Sequence, residues 1–206
     1  MSEPVPIEVD IAALPRIRPL SYEEADPETQ ALWDQISSGQ PDPRGSVLMG
    51  VTMWNPELYR VRTPFVSYVK DSTCLPLRDR ELAILRTAWM CGADFMWAMH
   101  NEIGLQCGLT QVEIERVGAG PDHPAWTPEE AAVLRSMDEL HDQSRIADAT
   151  WRVLAGTYDN RQLIELITLA GSYHVMAYLM GAIGIRPPSG ESPNLPENRF
   201  LFPKMS

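Results

Sequence analysis

The sequence predicts an all-α fold, an antiparallel helical bundle with a possible internal two-fold helical repeat. Apolar residues recur at helical spacing through most of the 206 residues. Several of these segments begin with a capping residue followed by proline at the first helical position, as in Asp26-Pro27, Asn55-Pro56 and Thr127-Pro128. No segment shows strand alternation with the Gly-Asn or Asp-Gly turns of a hairpin.

Four helices are predicted in the first half of the chain. The capping residues Asp26 and Asn55 start the first two, and apolar residues at helical spacing continue both. Gly92 makes a sharp break between the third and the fourth, and Gly108 stops the fourth. The segment 39–50 is rich in Pro, Gly and Asp and is predicted to be a loop. These four helices cover about 26–37, 56–69, 78–91 and 94–107.

Four more helices are predicted in the second half. Thr110 starts a short one, and Thr127 opens the next with a capping box, because a glutamate follows three residues later. Asp148 and Asn160 open the last two. The segment 118–126 is predicted to be a loop. These helices cover about 110–117, 127–143, 148–156 and 160–184.

The N-terminal and C-terminal segments are predicted to be extended arms that flank a single domain. Proline is dense in 1–20 and in 187–206, which prevents regular helix, and 21–186 is the single all-α domain. Isolated apolar residues in the arms, such as Phe200 and Phe202, predict packing along the body or across a partner subunit. Frayed ends are the alternative. We therefore expect a homo-oligomer: a dimer, a trimer or a multiple of these.

Composition predicts a soluble globular protein. Hydrophobic residues make up 44% of the chain and charged residues 22%, and the net charge is −11. The surplus of acid argues against nucleic acid and anionic membrane surfaces as partners. The longest apolar stretch, 163–185, is interrupted by polar residues and glycines, so no membrane span is predicted. Three cysteines without a secretory signal predict a cytoplasmic protein with reduced thiols.

Two segments of the chain are similar to each other. Residues 80–97 align with 161–178 at a constant offset, and each copy follows a capped, acidic helical segment. Chance similarity between two amphipathic helices is the alternative. If the repeat is real, one copy keeps chemical groups that the other lacks, because Glu81, Cys91 and His100 correspond to Gln162, Ser172 and Gly181.

The segment 81–100 places a carboxylate, a thiol, an indole and an imidazole within two apolar helices. Burying an acid and a histidine there is costly unless they are paired, so Glu81 and His100 form either a structural contact or a site. Histidine carries protons readily near neutral pH because its unperturbed pKa is about 6.5. In a tight antiparallel pair turning near Ala93, the two residues are offset by about 8 Å along the axes. Contact between them then requires that the two helices cross obliquely, that the Glu81 side chain extends along the helix, or that a water molecule bridges the two side chains.

Five short motifs resemble those of one protein family. They are Glu81 at the opening of a helix, Trp97-Ala-Met-His100, Gly108-Leu-Thr-Gln-Val-Glu-Ile, Asp138-Glu-Leu-His141 and Gly171-Ser-Tyr-His174. Together they resemble the carboxymuconolactone decarboxylase family, in the superfamily that also holds alkylhydroperoxidase D-like proteins, and they indicate a longer subgroup of it. The resemblance implies antiparallel helices in homo-oligomers, with pockets for small-molecule substrates lined by the motif helices near subunit contacts.

The chain departs from the family's peroxidase branch at the thiols. That branch uses a Cys-x-x-Cys pair with three residues between it and the histidine, which places the two cysteines at Ala93 and Met96 of this chain. Both are missing, and Cys91 has no partner two residues further on. The decarboxylase branch works without redox cysteines, through acid–base groups that protonate or stabilise a carbanion-like intermediate. That chemistry is compatible with Glu81 and His100.

Eight residues are candidates for the site, with no metal and no cofactor predicted. Each also has a structural reading: Glu81 can pair with Arg78 or Arg86, a buried cysteine is usually a small hydrophobe, and Trp and Met commonly fill cores. His141 is predicted to be a helix-surface residue or a cap contact. The catalytic candidates are His100, Glu81, His174, Tyr173 and Cys91, and the substrate-binding candidates are Trp97, Met96 and Arg86.

The function predicted from the sequence is a lyase. We expect cofactor-free acid–base chemistry, of the decarboxylase, lyase or isomerase type, on a small organic acid, lactone or carbonyl compound. One alternative is a thiol antioxidant protein that uses Cys91 with a distant or external resolving thiol. The other is a non-catalytic helical oligomer that binds small apolar ligands.

Overall fold

The computed structural model describes residues 15–37 and 43–186, and within these ranges every regular element is an α-helix. The all-α prediction is confirmed. In chain order the helices are α1 (Pro27–Ser37), α2 (Pro43–Thr52), α3 (Pro56–Asp71), α4 (Leu77–Met90), α5 (Asp94–Gln106), α6 (Gln111–Val117), α7 (Pro128–Gln143), α8 (Asp148–Thr157) and α9 (Asn160–Ile183).

The loop predicted over 39–50 is wrong from residue 43 onward, because α2 occupies Pro43–Thr52. Its proline stands at the first helical position, where the missing N–H costs nothing. Gly50 lies where α2 meets the N-terminal segment, since a Cβ there would be 2.8 Å from the carbonyl oxygen of Leu20. The glycine therefore permits close packing of a helix, although the composition of the segment is typical of a loop.

Helix α4 is the centre of the fold. Its residues from Arg80 to Ala88 are all buried, and α5, α6, α7 and α9 pack around it. Leu82, Ile84 and Leu85 are completely inaccessible to solvent. Burying each such side chain contributes about 1.5–3 kcal/mol. A helix covered on all sides is a rigid support for any polar group it carries.

The predicted break between α4 and α5 is confirmed. Gly92 adopts a φ of +66°, a left-handed conformation that costs an L-residue roughly 1 kcal/mol and glycine nothing. The Ala93 N–H then donates to the Ala88 carbonyl at 2.9 Å, which closes the turn. The chain therefore reverses within three residues and α5 packs against α4.

The described part of the N-terminal arm packs along the body. The Arg16 N–H donates to the carbonyl of Ile183 at the end of α9, at 2.7 Å, and the Leu20 N–H donates to Gly50 at 2.9 Å. Leu20 itself is buried. Residues 1–14 and 187–206, which include the rest of the arms and both terminal phenylalanines, lie outside the described residues.

Helix α9 is long and apolar enough, by length and composition alone, to cross a membrane. It packs against α4 and places several apolar residues in the core, while Ile164, Val175 and Tyr178 remain exposed. The alignment of 161–178 with 80–97 pairs α9 with α4, but α9 continues without the break that Gly92 makes in the other copy. The predicted cytoplasmic location stays a prediction.

Glu165 ties α9 to the segment that links α3 with α4. Its carboxylate accepts hydrogen bonds from the Tyr68 hydroxyl, from the Thr73 hydroxyl at 2.8 Å and from the Cys74 N–H at 2.7 Å. Desolvation acts to raise the pKa of this carboxyl, but these hydrogen bonds outweigh it and lower the pKa to about 2. The charged form is therefore the one that the fold stabilises.

We predict that Glu165→Gln lowers the free energy of unfolding at pH 7 by about 1–3 kcal/mol, because the amide replaces a charged acceptor. A carboxyl whose pKa is lower in the folded state stabilises the fold above its usual value of 4.5 and loses that contribution as the pH falls towards about 2. The gap between wild type and variant in urea unfolding should therefore narrow over that range. Glu115→Gln, on the exposed face of α6, is the control, and an equal gap at pH 7 and pH 2.5 would contradict the prediction.

Candidate active site

Glu81 on α4 and His100 on α5 are in direct contact. His100 Nδ1 lies 2.7 Å from Glu81 Oε2, and Glu81 and His100 are 0% and 6% exposed. The offset of about 8 Å expected for a tight antiparallel pair is thus bridged by the side chains themselves. No bridging water is needed for the contact.

The second oxygen of Glu81 is held by Arg80. Glu81 Oε1 lies 2.9 Å from Arg80 Nε and 2.8 Å from Nη2, and Arg80 is also buried. A buried carboxylate is tolerated when a cation compensates its charge. Helical spacing does not predict this partner, since neighbours in a helix do not face each other; here the long arginine side chain folds back to its neighbour.

The two arginines expected as alternative partners of Glu81 bond elsewhere. Arg78 bonds Glu113 and Glu130, while Arg86 bonds Asp138 at 2.5 and 2.8 Å. Arg86 also donates to the Val117 carbonyl at 2.9 Å, so the guanidinium ties α4 to α6 and α7. The prediction that Glu81 pairs with one of them is wrong. Arg86 as a substrate contact stays a prediction.

The contact with Glu81 fixes which nitrogen of His100 is available for chemistry. The carboxylate is an acceptor, so Nδ1 carries a proton and donates it, and Nε2 is the nitrogen left for proton transfer. Tyr173 on α9 presents its ring edge-on to the imidazole, with 5.2 Å between centroids and 79° between planes. Glu81 therefore orients the imidazole through the contact at Nδ1, and the Tyr173 ring packs against another side of it.

Helix α5 carries two further N–H donors that are close to His100 in the sequence. Trp97 lies one turn before it, and Asn101 follows it directly. Trp97 Nε1 and Asn101 Nδ2 are buried and have no hydrogen-bond partner within the ranges that the structure describes. Unpartnered buried donors are rare and call for an acceptor. An oxygen-rich molecule or a water is the acceptor that these two groups can take.

Cys91, His141 and His174 form a second group. Cys91 Sγ lies 3.8 Å from His141 Nδ1, and the same nitrogen lies 3.0 Å from His174 Nε2. His174 Nδ1 donates to the Ala170 carbonyl at 2.8 Å. The sequence predicts a surface or cap position for His141; the side chain is exposed, but it contacts both other members of this group.

The five catalytic candidates thus divide into two groups around α9. Tyr173 faces the Glu81–His100 pair, whereas its neighbour His174 faces Cys91 and His141. Successive helical residues point about 100° apart, so one helix serves both groups. The helical period separates the two side chains, but it does not indicate which group each one joins, because that depends on how α9 packs.

The remaining candidates are core residues. Trp97 and Met96 are 0% and 1% exposed, and the Trp97 ring lies 5.5 Å from that of Trp89. Ala93 and Met96, which occupy the positions of the family's dithiol, are both buried. The contact of Trp97 and Met96 with a substrate stays a prediction.

Cys74 and Cys107 are held as thiols. Desolvation is the main cause that raises the pKa of each, and the neighbouring Glu165 and Glu81 carboxylates raise it further. Cys107 Sγ lies 3.6 Å from Arg80 Nη2. Thiolate is the nucleophilic form of cysteine, so a raised pKa makes both side chains poor nucleophiles.

The sequence profile of the Carboxymuconolactone decarboxylase family matches residues 56–139, a range that includes α4, α5 and the Glu81–His100 pair. The chain is 25% identical over 136 residues to the uncharacterized protein YdfG of Bacillus subtilis (strain 168), and the match covers 65% of this chain and 92% of YdfG.

Two solved structures have a similar fold. One is the alkylhydroperoxidase AhpD core of an uncharacterized peroxidase-related protein from Ralstonia eutropha JMP134, with a TM-score of 0.70 and 12% identity over 86% of this chain and 94% of that one. The other is a cysteine-to-alanine variant of the debrominase Bmp8 in complex with 2,3,4-tribromopyrrole, with a TM-score of 0.67 and 12% identity over 85% and 92%. At these identities the likeness shows the fold.

We predict that Arg80→Met lowers the free energy of unfolding by about 3 kcal/mol, because it leaves the buried Glu81 carboxylate without its cation. Urea unfolding followed by circular dichroism measures this. The matched control is Arg60→Met, which removes exposed ion pairs to Glu28 and Glu57 and should cost less than about 1 kcal/mol. Equal decreases in the free energy of unfolding of the two variants would show that the buried Arg80–Glu81 pair stabilises the fold no more than an exposed ion pair does.

Proposed function

We propose that this chain, which belongs to the carboxymuconolactone decarboxylase and alkylhydroperoxidase D-like superfamily, is an enzyme of cofactor-free acid–base chemistry. Its substrate would be a small organic acid, lactone or carbonyl compound, and its reaction a decarboxylation or an allied lyase or isomerase step. The observation that carries the proposal is the buried contact of 2.7 Å between His100 Nδ1 and Glu81 Oε2.

In this proposal His100 Nε2 moves the proton. When the C–C bond to a substrate carboxylate breaks, carbon dioxide leaves and the bonding electrons remain on the substrate as an enolate. Protonated His100 gives its Nε2 proton to the enolate carbon, and a proton from solvent then restores the imidazolium. The net change is the loss of carbon dioxide and the gain of one proton by the product. A positioned general acid of this kind contributes typically 10²–10⁴-fold to the rate.

Glu81 and Arg80 position the imidazole. Each oxygen of the Glu81 carboxylate has a fixed partner, His100 on one side and Arg80 on the other. The carboxylate cannot rotate away without losing both, so it holds the ring in one orientation. Placing this pair on two helices of the core makes the geometry more precise than a loop would.

The donors on α5 favour an anionic or oxygen-rich substrate. Trp97 Nε1 and Asn101 Nδ2 are N–H donors without partners within the described ranges. A substrate carboxylate or an enolate oxygen supplies two or more lone pairs. If a substrate oxygen reaches these buried donors, they would stabilise the charge that develops on it during the reaction.

We predict that His100→Gln lowers kcat at least about 100-fold and that Glu81→Gln lowers it less, because the imidazole remains in the second variant. The assay follows release of carbon dioxide from a panel of β-keto acids and carboxylated lactones, together with deuterium uptake from D₂O at the carbon that lost the carboxylate. His123→Gln is the control, since His123 Nδ1 accepts a local hydrogen bond from the Ala125 N–H at 3.2 Å. Unchanged turnover in His100→Gln would refute the assignment.

Cys91 provides a second candidate function, thiol-dependent peroxide reduction, which its approach of 3.8 Å to His141 Nδ1 favours. The imidazole can take the thiol proton; the thiolate then attacks a peroxide oxygen, forming sulfenic acid and releasing the alcohol after protonation. Two equivalents of an external thiol would return the sulfenic acid to the thiol with loss of water, because the family's resolving cysteine is missing.

This redox candidate predicts that Cys91→Ser abolishes peroxide consumption in the presence of a dithiol, whereas Cys74→Ser does not. The expected difference follows from the histidine beside Cys91 and the raised pKa of Cys74. Peroxide turnover is measured directly, and mass spectrometry locates the sulfenic acid with a dimedone probe. Full activity in Cys91→Ser would eliminate the candidate.

A further inference from the structure

Three helices bring three metal-ligating side chains to one point. Cys91 is the C-cap of α4, His141 lies in the last turn of α7, and His174 lies within α9. One ligand atom from each lies within 4.8 Å of the other two. We infer that Cys91, His141 and His174 form a binding site for a divalent transition metal of the zinc class, with the fourth position open to solvent or substrate.

Two of the three separations between the ligand atoms agree with a tetrahedral metal, and the third is at most 4.8 Å. Zinc bonds nitrogen at about 2.0–2.1 Å and sulfur at about 2.3 Å, so a tetrahedral site separates two nitrogens by about 3.3 Å and a nitrogen from a sulfur by about 3.5 Å. The observed separations are 3.0 Å from His141 Nδ1 to His174 Nε2 and 3.8 Å from that nitrogen to Cys91 Sγ. Each differs from its ideal by only a few tenths of an ångström.

The hydrogen bond of His174 Nδ1 orients the ring so that its other nitrogen, Nε2, can bind a metal. Its Nδ1 donates to the carbonyl of Ala170, one turn earlier in α9, at 2.8 Å. This hydrogen bond places the ring proton on Nδ1 and leaves a lone pair on Nε2, which faces the other two side chains. Histidine ligands of metals commonly have such a partner on the nitrogen that does not bind the ion.

Without a metal, His141 Nδ1 can donate to the Nε2 lone pair of His174 at 3.0 Å. Cys91 Sγ then lies 3.8 Å from a nitrogen that has no lone pair left for the thiol proton. A cation between the three atoms instead uses a lone pair of each of them at once.

The donor set and the surroundings select the class of metal. One thiolate and two imidazoles suit zinc and its neighbours in the transition series, not the hard cations magnesium and calcium. His141 is exposed while Cys91 and His174 are half-buried, so an ion can enter from solvent and keep one position free. A three-ligand site with an open position is the arrangement of catalytic rather than structural zinc.

The metal site is separate from the proposed function. The Glu81–His100 pair uses other side chains, although α4 and α9 contribute to both groups. Metal binding would also change what Cys91 can do, because a thiolate bound to an ion is less available to peroxide. Two experiments therefore distinguish the metal site from both the acid–base proposal and the redox candidate.

The first experiment titrates the chelator-treated full chain with cobalt(II), followed by competition with zinc. We expect one equivalent per chain, tetrahedral d–d bands and a thiolate-to-cobalt charge-transfer band. Cys91→Ser should lose that band, and His141→Gln and His174→Gln should weaken binding at least about 10-fold. The matched controls Cys74→Ser and His123→Gln should bind as the wild type does. A band that persists in Cys91→Ser, or no binding by the folded wild type, would overturn the inference.

The second experiment needs no variant and so does not depend on a variant folding. Alkylation of the wild type by iodoacetamide is followed by mass spectrometry with and without one equivalent of zinc. We expect zinc to slow modification of Cys91 at least about 10-fold and to leave Cys74 unaffected. Equal rates at Cys91 with and without zinc would contradict the site. In His100→Gln zinc should slow the modification of Cys91 as much as in the wild type, even where turnover is lost.

Discussion

The buried carboxylate of Glu81 is the constraint on which the candidate site depends. A charge with no exposure to solvent is tolerated only when its hydrogen bonds and its counter-charge are complete. Arg80 supplies the charge at one oxygen, and the other oxygen orients His100. Because α4 packs at the centre of the bundle, away from solvent, the loss of either partner of Glu81 would cost more free energy there than at the surface.

The same central helix explains why two chemical groups lie near each other. Helix α4 carries Glu81 near its start and is capped at its C-terminal end by Cys91. Helix α9 packs against α4, with Tyr173 and His174 on different sides of α9. The Glu81–His100 group is enclosed and suited to proton transfer. The Cys91 group is open to solvent and suited to a metal or to redox chemistry. The proposals for the two groups therefore stand on separate observations.

Local sequence signals predict most of the helices, but they do not predict features that depend on contacts between residues distant in the sequence. The Gly92 break, the helix start at Thr110 and the capping box at Thr127 depend on residues within one turn, so the sequence predicts them. Helix α2 is not predicted from local signals. Its Gly50 suggests a loop, but the structure explains this glycine by a close contact with Leu20, which is distant in the sequence. The contacts of His141 with Cys91 and His174 span 50 and 33 residues and depend on how three helices pack. No periodicity contains that information.

The central claim is that Glu81 fixes His100 with its proton on Nδ1 and leaves Nε2 for chemistry. Nitrogen-15 NMR of the histidine rings tests it most directly, with His100→Gln used to assign the signals. At a pH where the ring is neutral, we expect a protonated Nδ1 and an unprotonated Nε2, and loss of this preference in Glu81→Gln. A ring protonated on Nε2, or the same tautomer in both proteins, would contradict the claim.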